Sequence, residues 1–412
     1  MAFHHHQLNN GLTILGETNP SALSLAMGFW VRTGSRDETS EVSGVSHFLE
    51  HMIFKGTERR DSFTVNRDFS RIGADNNAWT SEENTFYHAV VLPEYLPALV
   101  DVLADIMRPS LREEDFNTEK SVILDEIVRY QVQPGWAAYD HARKTFYGNH
   151  PLGNSVLGTT ESITALTRNQ MMNYYNARYL ASNIHLVVAG NFDFSSFVEL
   201  IDQACGKWPT GKVERLNRTE VNGAGGIHIV EKPEEKVSQE YLMMISPGPA
   251  ANSPLRYAAS VLATAIGDYA GSRLYWALTD PGYADECGMG ADECDGAGAY
   301  YLSLNCNPDN IKKCYQIVTE LYKIVQDKGL SEEEIDQAKT KIASREVRAS
   351  ERTHRRMLQI AKDWAYLGEY RNLDDELAAI EAVNLKSIRE VLDAYPLSNY
   401  TTTAFGPCSA II

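Results

Sequence analysis

The chain has 412 residues, of which 43% are apolar, 23% charged and 10% aromatic. That length exceeds one ordinary hydrophobic core, so the sequence predicts a globular protein of at least two domains. The 38 Lys and Arg residues against 55 Asp and Glu residues give a formal charge of −17, which disfavours nucleic acid and anionic membranes as partners.

The termini and the cysteines indicate a compartment. No apolar run approaches the roughly 18 residues of a membrane span, and the first residues lack the basic and apolar regions of a signal peptide. We interpret His4 to His6 as the start of a strand. The six cysteines are sparse and lie late in the chain, and the spacing of Cys287 and Cys294 matches no usual zinc pair. These features predict a protein of the reducing cytoplasm.

The first elements lead to a helix. A turn and strand are predicted over 8–15, a buried strand over 23–31 and a polar loop over 34–38. The helix that follows is expected to begin at Ser43 as N-cap and to stop at Gly56.

That helix contains His47-Phe48-Leu49-Glu50-His51. Two histidines four positions apart lie on one face of a helix, so both rings can bind a single metal ion. Glu50 lies between them, where it can act on a water at the metal without being a ligand. This order is the inverted zinc-peptidase signature. The alternative interpretation is an amphipathic helix that carries two hydrogen-bonded histidines.

Further helices are predicted over 63–72, 96–107 and 113–132, with a strand over 84–92. In the last of these helices Glu119 and Glu126 are seven residues, about two turns, apart, so their carboxylates project from one face. A carboxylate from a separate helix would complete a zinc site of two histidines and one glutamate, with the fourth position open. The alternative is a solvated acidic face, because residues 113–115 are also acidic.

At these residues the chain resembles the family of pitrilysin, insulin-degrading enzyme and mitochondrial processing peptidase. Residues 47–57 are similar to that family's active-site helix, and residues 119–127 to its second helix with paired glutamates. Shorter similar stretches extend the resemblance over nearly the whole chain: 77–80, 85–87, 150–159, 179–191, 271–275 and 405–407.

The resemblance implies a zinc-dependent metalloendopeptidase with one Zn²⁺ per chain, held by His47, His51 and Glu126. Glu50 would be the general base that takes a proton from water, and Glu119 would orient a ligand. The implied substrate is an unfolded peptide or oligopeptide. It would add as a strand beside Asn77 and Ala78.

The fold implied by the resemblance is α+β, with two similar domains that are each a mainly antiparallel sheet with helices packed on one side. We predict an N-terminal zinc-binding catalytic domain at 1–208, a linker at 209–226 and a C-terminal domain at 227–412 without the zinc motif. Glycines and Pro209 in the polar stretch 206–226 support the linker, and strands are expected to restart at 227.

One departure from the family's pattern raises a second hypothesis. Active members usually carry an Arg and a Tyr in the second domain that hold the substrate, whereas Thr279 and Asp285 stand at those positions here. Tyr283 is the available replacement and therefore a predicted substrate-binding residue. The alternative function is a partner-dependent or non-catalytic peptide-binding subunit of a hetero-oligomeric processing complex.

Either function is compatible with a homodimer or with a heterodimer that includes a related chain. A scaffold has no use for Glu50, which favours the peptidase. Zinc-dependent hydrolysis of a non-peptide substrate is a third reading of the motif.

Overall fold

The computed structural model describes residues 1–215, 221–233 and 236–412. The chain forms two compact units, each built on one β-sheet. Unit 1 comprises residues 1–128, 154–216 and 348–371, and unit 2 comprises residues 129–153, 217–347 and 372–412. No helix within the described ranges is long and apolar enough to cross a bilayer.

Eleven strands are present in the described part of the chain. They are β1 Ala2–Gln7, β2 Thr13–Thr18, β3 Leu25–Val31, β4 Asp75–Thr80, β5 Thr85–Val91, β6 Ile184–Gly190, β7 Ile227–Glu231, β8 Glu240–Gly248, β9 Glu286–Cys294, β10 Ala297–Cys306 and β11 Thr401–Gly406.

The described part of the chain also forms fourteen α-helices. They are α1 Val45–Ile53, α2 Ser62–Arg71, α3 Leu96–Ile106, α4 Glu113–Gln131, α5 Pro134–Tyr147, α6 Thr160–Ala165, α7 Arg168–Arg178, α8 Phe194–Cys205, α9 Arg256–Gly267, α10 Ile311–Lys328, α11 Glu332–Ser350, α12 Thr353–Leu367, α13 Leu373–Glu381 and α14 Leu385–Ala394.

The sheet of unit 1 has the strand order β1-β2-β6-β3-β5-β4. Its strand pairs are antiparallel except for β2 with β6. Every residue of β3 and β6 is buried, which explains why these central strands are apolar runs without alternation. The motif helix α1 packs Phe48, Leu49 and Met52 into the core on one face of this sheet. β4 lies at the edge of the sheet.

The sheet of unit 2 has the order β7-β11-β8-β10-β9, and only β11 with β7 is parallel. Helices α9, α10 and α14 contribute to the core on one of its faces. Both units are therefore mainly antiparallel sheets with a helical layer. The predicted α+β class with two similar domains is confirmed.

Each unit also takes one helix from the other half of the sequence. In unit 1 the second sheet face is covered by α12, where Met357 and Ile360 pack against Trp30 and Phe86. In unit 2, Ala138 and Phe146 of α5 pack with residues of β8 and β11. The boundaries 1–208 and 227–412 stay a prediction, because compactness alone does not define a folding domain.

The predicted linker is partly fixed to unit 1. The amide of Ala181 donates to the carbonyl of Pro209, and Arg215 forms ion pairs with Asp37 and Glu83. Residues 216–220 of this linker lie outside the described residues. The part from 209 to 215 therefore behaves as a packed segment of unit 1, which its polar composition did not indicate.

A buried ion pair anchors α12 to the sheet. Arg356 Nε lies 2.9 Å from both carboxylate oxygens of Glu17 on β2, and Glu17 also accepts a hydrogen bond from the Tyr370 hydroxyl at 2.5 Å. Arg356 and Glu17 are almost fully buried. Removal of one partner would therefore leave an uncompensated charge in the interior.

We expect Arg356→Ala to lower the free energy of unfolding by about 3–5 kcal/mol, measured by denaturant titration, because Glu17 would stay buried without its cation. The matched control is Arg355→Ala, since Arg355 is exposed one position earlier. The control should change stability by less than about 0.5 kcal/mol. Equal losses in the two variants would contradict an anchoring role.

Candidate metal centre

The residues predicted to bind zinc converge within unit 1. His47 and His51 lie on α1, and Glu126 lies on α4. Glu126 Oε2 is 3.8 Å from His47 Nε2 and 3.6 Å from His51 Nε2. One ligand atom of each residue lies within 4.8 Å of the others. Two helices that are far apart in sequence therefore direct three ligand atoms to one point.

These separations fit a shared ion better than direct hydrogen bonds. Two atoms that bind one zinc at about 2.0–2.1 Å in a tetrahedron lie roughly 3.3 Å apart, whereas a hydrogen bond between nitrogen and oxygen needs about 2.9 Å. His47 is 9% exposed, and its Nδ1 atom has no hydrogen-bond partner among the described residues. Burial and the neighbouring His51 lower the pKa of His47 to about 3, so its ring is neutral, as a metal ligand must be.

Glu119 determines which nitrogen of His51 is free. His51 Nδ1 donates to Glu119 Oε1 at 2.8 Å, and Lys55 Nζ lies 2.5 Å from the other oxygen. Burial acts to raise the pKa of Glu119, but these two hydrogen bonds outweigh it and the pKa is lowered. With its proton on Nδ1, His51 presents the lone pair of Nε2 towards Glu126.

Because Glu119 is only 4% exposed, this face of α4 is not a solvated acidic surface. Lys55 was not identified as a functional residue from the sequence. The signal was nevertheless present, since Lys55 follows His51 by four positions, one turn further along the same chain.

Glu50, the predicted base, lies beside the ligands and is held by a residue that sequence reasoning missed. Thr80, the last residue of β4, donates its hydroxyl proton to Glu50 Oε2 at 2.6 Å. Burial raises the pKa of Glu50, against the effect of this hydrogen bond and of His51, and the Glu126 carboxylate adds to the increase. A carboxylate with a raised pKa accepts a proton from water more readily than an exposed one.

The start of α1 differs from the prediction. Ser43 is not the N-cap, which is Gly44 with φ of +89° and no capping side chain. The Glu38 carboxylate accepts the backbone hydrogen bonds of Gly44 and Ser46 at 2.6 and 2.7 Å. A Cβ atom on Gly44 would lie 2.6 Å from the Leu157 carbonyl oxygen, so only glycine fits here.

The predicted polar loop over 34–38 is buried in the structure. Arg36, Asp37 and Glu38 are at most 8% exposed, and Arg36 pairs with Glu83 at 2.5 Å. Burial raises the pKa of Glu38 to about 7, although its hydrogen bonds from Ser46 and Gly44 oppose this. The charged residues of this segment were predicted to be solvated. In the structure they pair with residues that are distant in sequence, such as Glu83 and Arg215.

Asn77 and Ala78 lie on the edge strand β4. Both residues pair on one side with β5, Ala78 opposite Tyr87 and Asn77 opposite His88. The Ala78 amide donates to the side chain of Asn77 at 2.9 Å, which shields part of the open edge. A peptide that added to this edge would have to replace that bond.

The substrate residues predicted in the second half lie in unit 2. Tyr283 is half-buried, and the Lys313 ammonium lies 3.3 Å from the centre of its ring. Asp285 is exposed and accepts a hydrogen bond from Gln239 at 2.5 Å. Thr279 ends a short helical turn over Tyr275–Thr279. Thr279 and Asp285 thus offer neither a cation nor a phenol at these positions.

Three carboxylates lie at the candidate metal centre. Glu50, Glu119 and Glu126 are three carboxylates, against which Lys55 supplies one ammonium group. A divalent cation at the point shared by the three ligand atoms would offset the remaining repulsion. The donor set of two imidazoles and one carboxylate is that of catalytic zinc sites that keep one position open.

The helix α1 at this site carries the inverted zinc-peptidase motif. A family model described as Insulinase (Peptidase family M16) matches residues 13–160, and one described as Peptidase M16 inactive domain matches residues 165–342. The chain belongs to peptidase family M16, as the resemblance predicted. His-x-x-Glu-His occurs only once, within the first of these matches.

Several proteins are similar over much of the chain. A protein of Streptomyces coelicolor described as an uncharacterized zinc protease is 32% identical over 393 residues, which are 93% of this chain and 85% of that protein. The beta subunit of the mitochondrial processing peptidase of Neurospora crassa is 39% identical over 203 residues, 49% of this chain and 43% of that subunit.

A solved structure has the same fold. A protease from Helicobacter pylori superposes with a TM-score of 0.90 at 19% identity, covering 98% of this chain and 99% of the other.

We expect Lys55→Met to weaken zinc binding by about 10–100-fold, because Glu119 would lose the cation that fixes it against His51. Competition with a chromophoric chelator measures this affinity without any assay of catalysis. Lys55→Arg keeps the positive charge, so this variant should retain most of the zinc affinity. Unchanged affinity in Lys55→Met would show that Glu119 is held without the ammonium group.

Proposed function

We propose that the protein is a zinc-dependent endopeptidase that cleaves unfolded peptides or oligopeptides, with one catalytic zinc per chain. The observation that carries this proposal is the convergence of His47, His51 and Glu126 beside a half-buried Glu50. Family membership and relatives described as zinc proteases support peptidase activity in general.

Zinc, when bound, supplies a Lewis acid that activates water and polarises the scissile carbonyl. The residues of the chain would transfer the protons and orient the groups that react. Glu50 accepts a proton as the water oxygen bonds to the carbonyl carbon, and it delivers that proton to the nitrogen as the carbon–nitrogen bond breaks. Thr80 holds the Glu50 carboxylate in one orientation during both transfers.

Binding of the substrate at the edge of β4 is part of the proposal. The outer edge of β4 pairs with no other strand in the described part of the chain, so an extended peptide could continue the sheet there. Asn77 and Ala78 would then give up the bond between them in exchange for main-chain bonds to the peptide. Such bonds recognise any extended backbone, which suits unfolded substrates.

A second candidate function is a partner-dependent or non-catalytic peptide-binding subunit of a hetero-oligomeric processing complex. It is favoured by Thr279 and Asp285, which cannot stabilise negative charge as an Arg and a Tyr would. The match to a protein named as a subunit of a processing peptidase is compatible with it. In this reading a related chain that carries such an Arg and Tyr would supply the missing groups.

We also propose that the protein acts in a reducing compartment such as the cytoplasm. None of the six cysteines, all of which lie in the described ranges, forms a disulfide, and five of them are buried. The net charge of −17 disfavours nucleic acid and anionic membranes as partners.

Glu50→Gln should retain zinc but lose about 10²–10⁴ in the rate of peptide cleavage, because the general base is removed while the ligands stay. Metal content and cleavage of a mixed peptide library measure the two properties separately. Glu114→Gln makes the same change at an exposed position of α4 and should leave both unchanged. Cleavage at the normal rate by Glu50→Gln would refute this mechanism.

The purified chain should cleave peptides by itself and lose activity to a chelator, with recovery when zinc is restored. Gel filtration coupled to the assay identifies the active species, as monomer or homodimer. Activity that appears only after a related chain is added would instead establish the second candidate function.

A further inference from the structure

Unit 1 has a cavity on the sheet face opposite α1 and α4. Its volume is about 630 Å³, within the range of small-molecule sites. It lies where the N-terminus of α12 meets the sheet, and its lining includes Asn19, Ser24, His88 and His354. His88 is on the same face of β5 as Phe86, which packs with α12, whereas Tyr87 faces the core that contains α1.

The first turn of α12 presents unpaired donors to this cavity. Its N-cap is Arg352, and no side chain caps the helix. The first intrahelical bond at this end runs from the Arg356 amide to the Arg352 carbonyl, so the amides of residues 353–355 precede the helical ladder. Together with the helix dipole they carry a partial positive charge of about half a unit.

Two histidines provide an independent sign of a ligand. Both His88 and His354 line the cavity, His88 is only 7% exposed, and neither ring has a hydrogen-bond partner in the described residues. Their ring centres are 4.5 Å apart. Burial and His354 lower the pKa of His88 to about 4, and burial with Arg355 lowers the pKa of His354. Both rings are therefore neutral, with one N–H each to donate.

The surrounding charges favour an anion over a metal ion. Arg352 and Arg355 flank the helix end, whereas Arg356 is neutralised by Glu17. Asp75 and Glu351 are the acidic groups at the rim, and both are exposed, so solvent screens them. Throughout the described ranges, only His47, His51 and Glu126 bring three metal-binding atoms together.

We propose that this cavity binds a small ligand through an oxyanion, a phosphate or a carboxylate, seated at the N-terminus of α12 and bonded by His88 and His354. The site is separate from the metal centre and does not depend on the proposed peptidase activity. Because β4 carries Asp75 at the cavity and Thr80 at Glu50, an occupied cavity would contact the strand that borders the catalytic residues.

The test is calorimetric titration of the zinc-loaded protein with inorganic phosphate and, separately, with succinate. The tighter of the two ligands identifies the group that the site prefers. Arg352→Asp reverses a charge and places a carboxylate at the N-cap, where it would bond the same amides. It should weaken binding at least about tenfold and raise the melting temperature, because the helix would then be capped.

Lys386→Asp makes the same change of charge at an exposed position of unit 2 and should leave binding intact. His354→Phe keeps the ring but removes its N–H, and should also weaken binding. Failure of both ligands to bind the unmodified protein would overturn the proposal. So would binding that survives Arg352→Asp but is lost when zinc is removed, since the anion would then occupy the metal centre.

Discussion

Repulsion between the Glu50 and Glu126 carboxylates is the constraint on which the candidate metal centre depends. Glu50, Glu119 and Glu126 are brought together in a half-buried site, where like charges cost more than in water. Lys55 offsets part of this cost through Glu119, Thr80 bonds Glu50, and a divalent cation would offset the rest.

Holding α1 in place requires support at both ends of the helix. The Glu38 carboxylate receives the first amides, and Gly44 permits the close approach to Leu157. Beyond the helix, Arg60 is 9% exposed and pairs with Asp68 and Asp105. Charges that are buried and paired give fixed geometry rather than much net stability, and a metal centre needs that geometry.

Both faces of the sheet in unit 1 are covered by helices. One face carries α1 and α4 with the metal centre, and the other carries α12 and the cavity. β4 belongs to both, since its first residue lines the cavity and its last bonds Glu50. The helix that closes the second face comes from residues 348–371, so the completeness of the N-terminal half depends on the C-terminal half.

Sequence by itself determined the features that are local or strongly patterned. His47, Glu50 and His51 share a helix because their spacing matches its period, and the four helices predicted up to residue 132 lie within a few residues of their observed bounds. Glu126 followed from its spacing to Glu119 and from family resemblance. The α+β class followed from that resemblance together with the restart of strands near residue 227.

Only the tertiary structure decided the partners of these residues. Thr80 with Glu50, Glu38 with Gly44 and Arg356 with Glu17 join positions from six to 339 residues apart, and no periodicity encodes such contacts. The burial of Arg36 to Glu38 was misjudged for that reason, since a charged stretch is solvated unless distant residues neutralise it. The candidate ligands His47, His51 and Glu126 were predicted from the sequence, whereas the contacts of their neighbours depend on the packing of elements far apart in the chain.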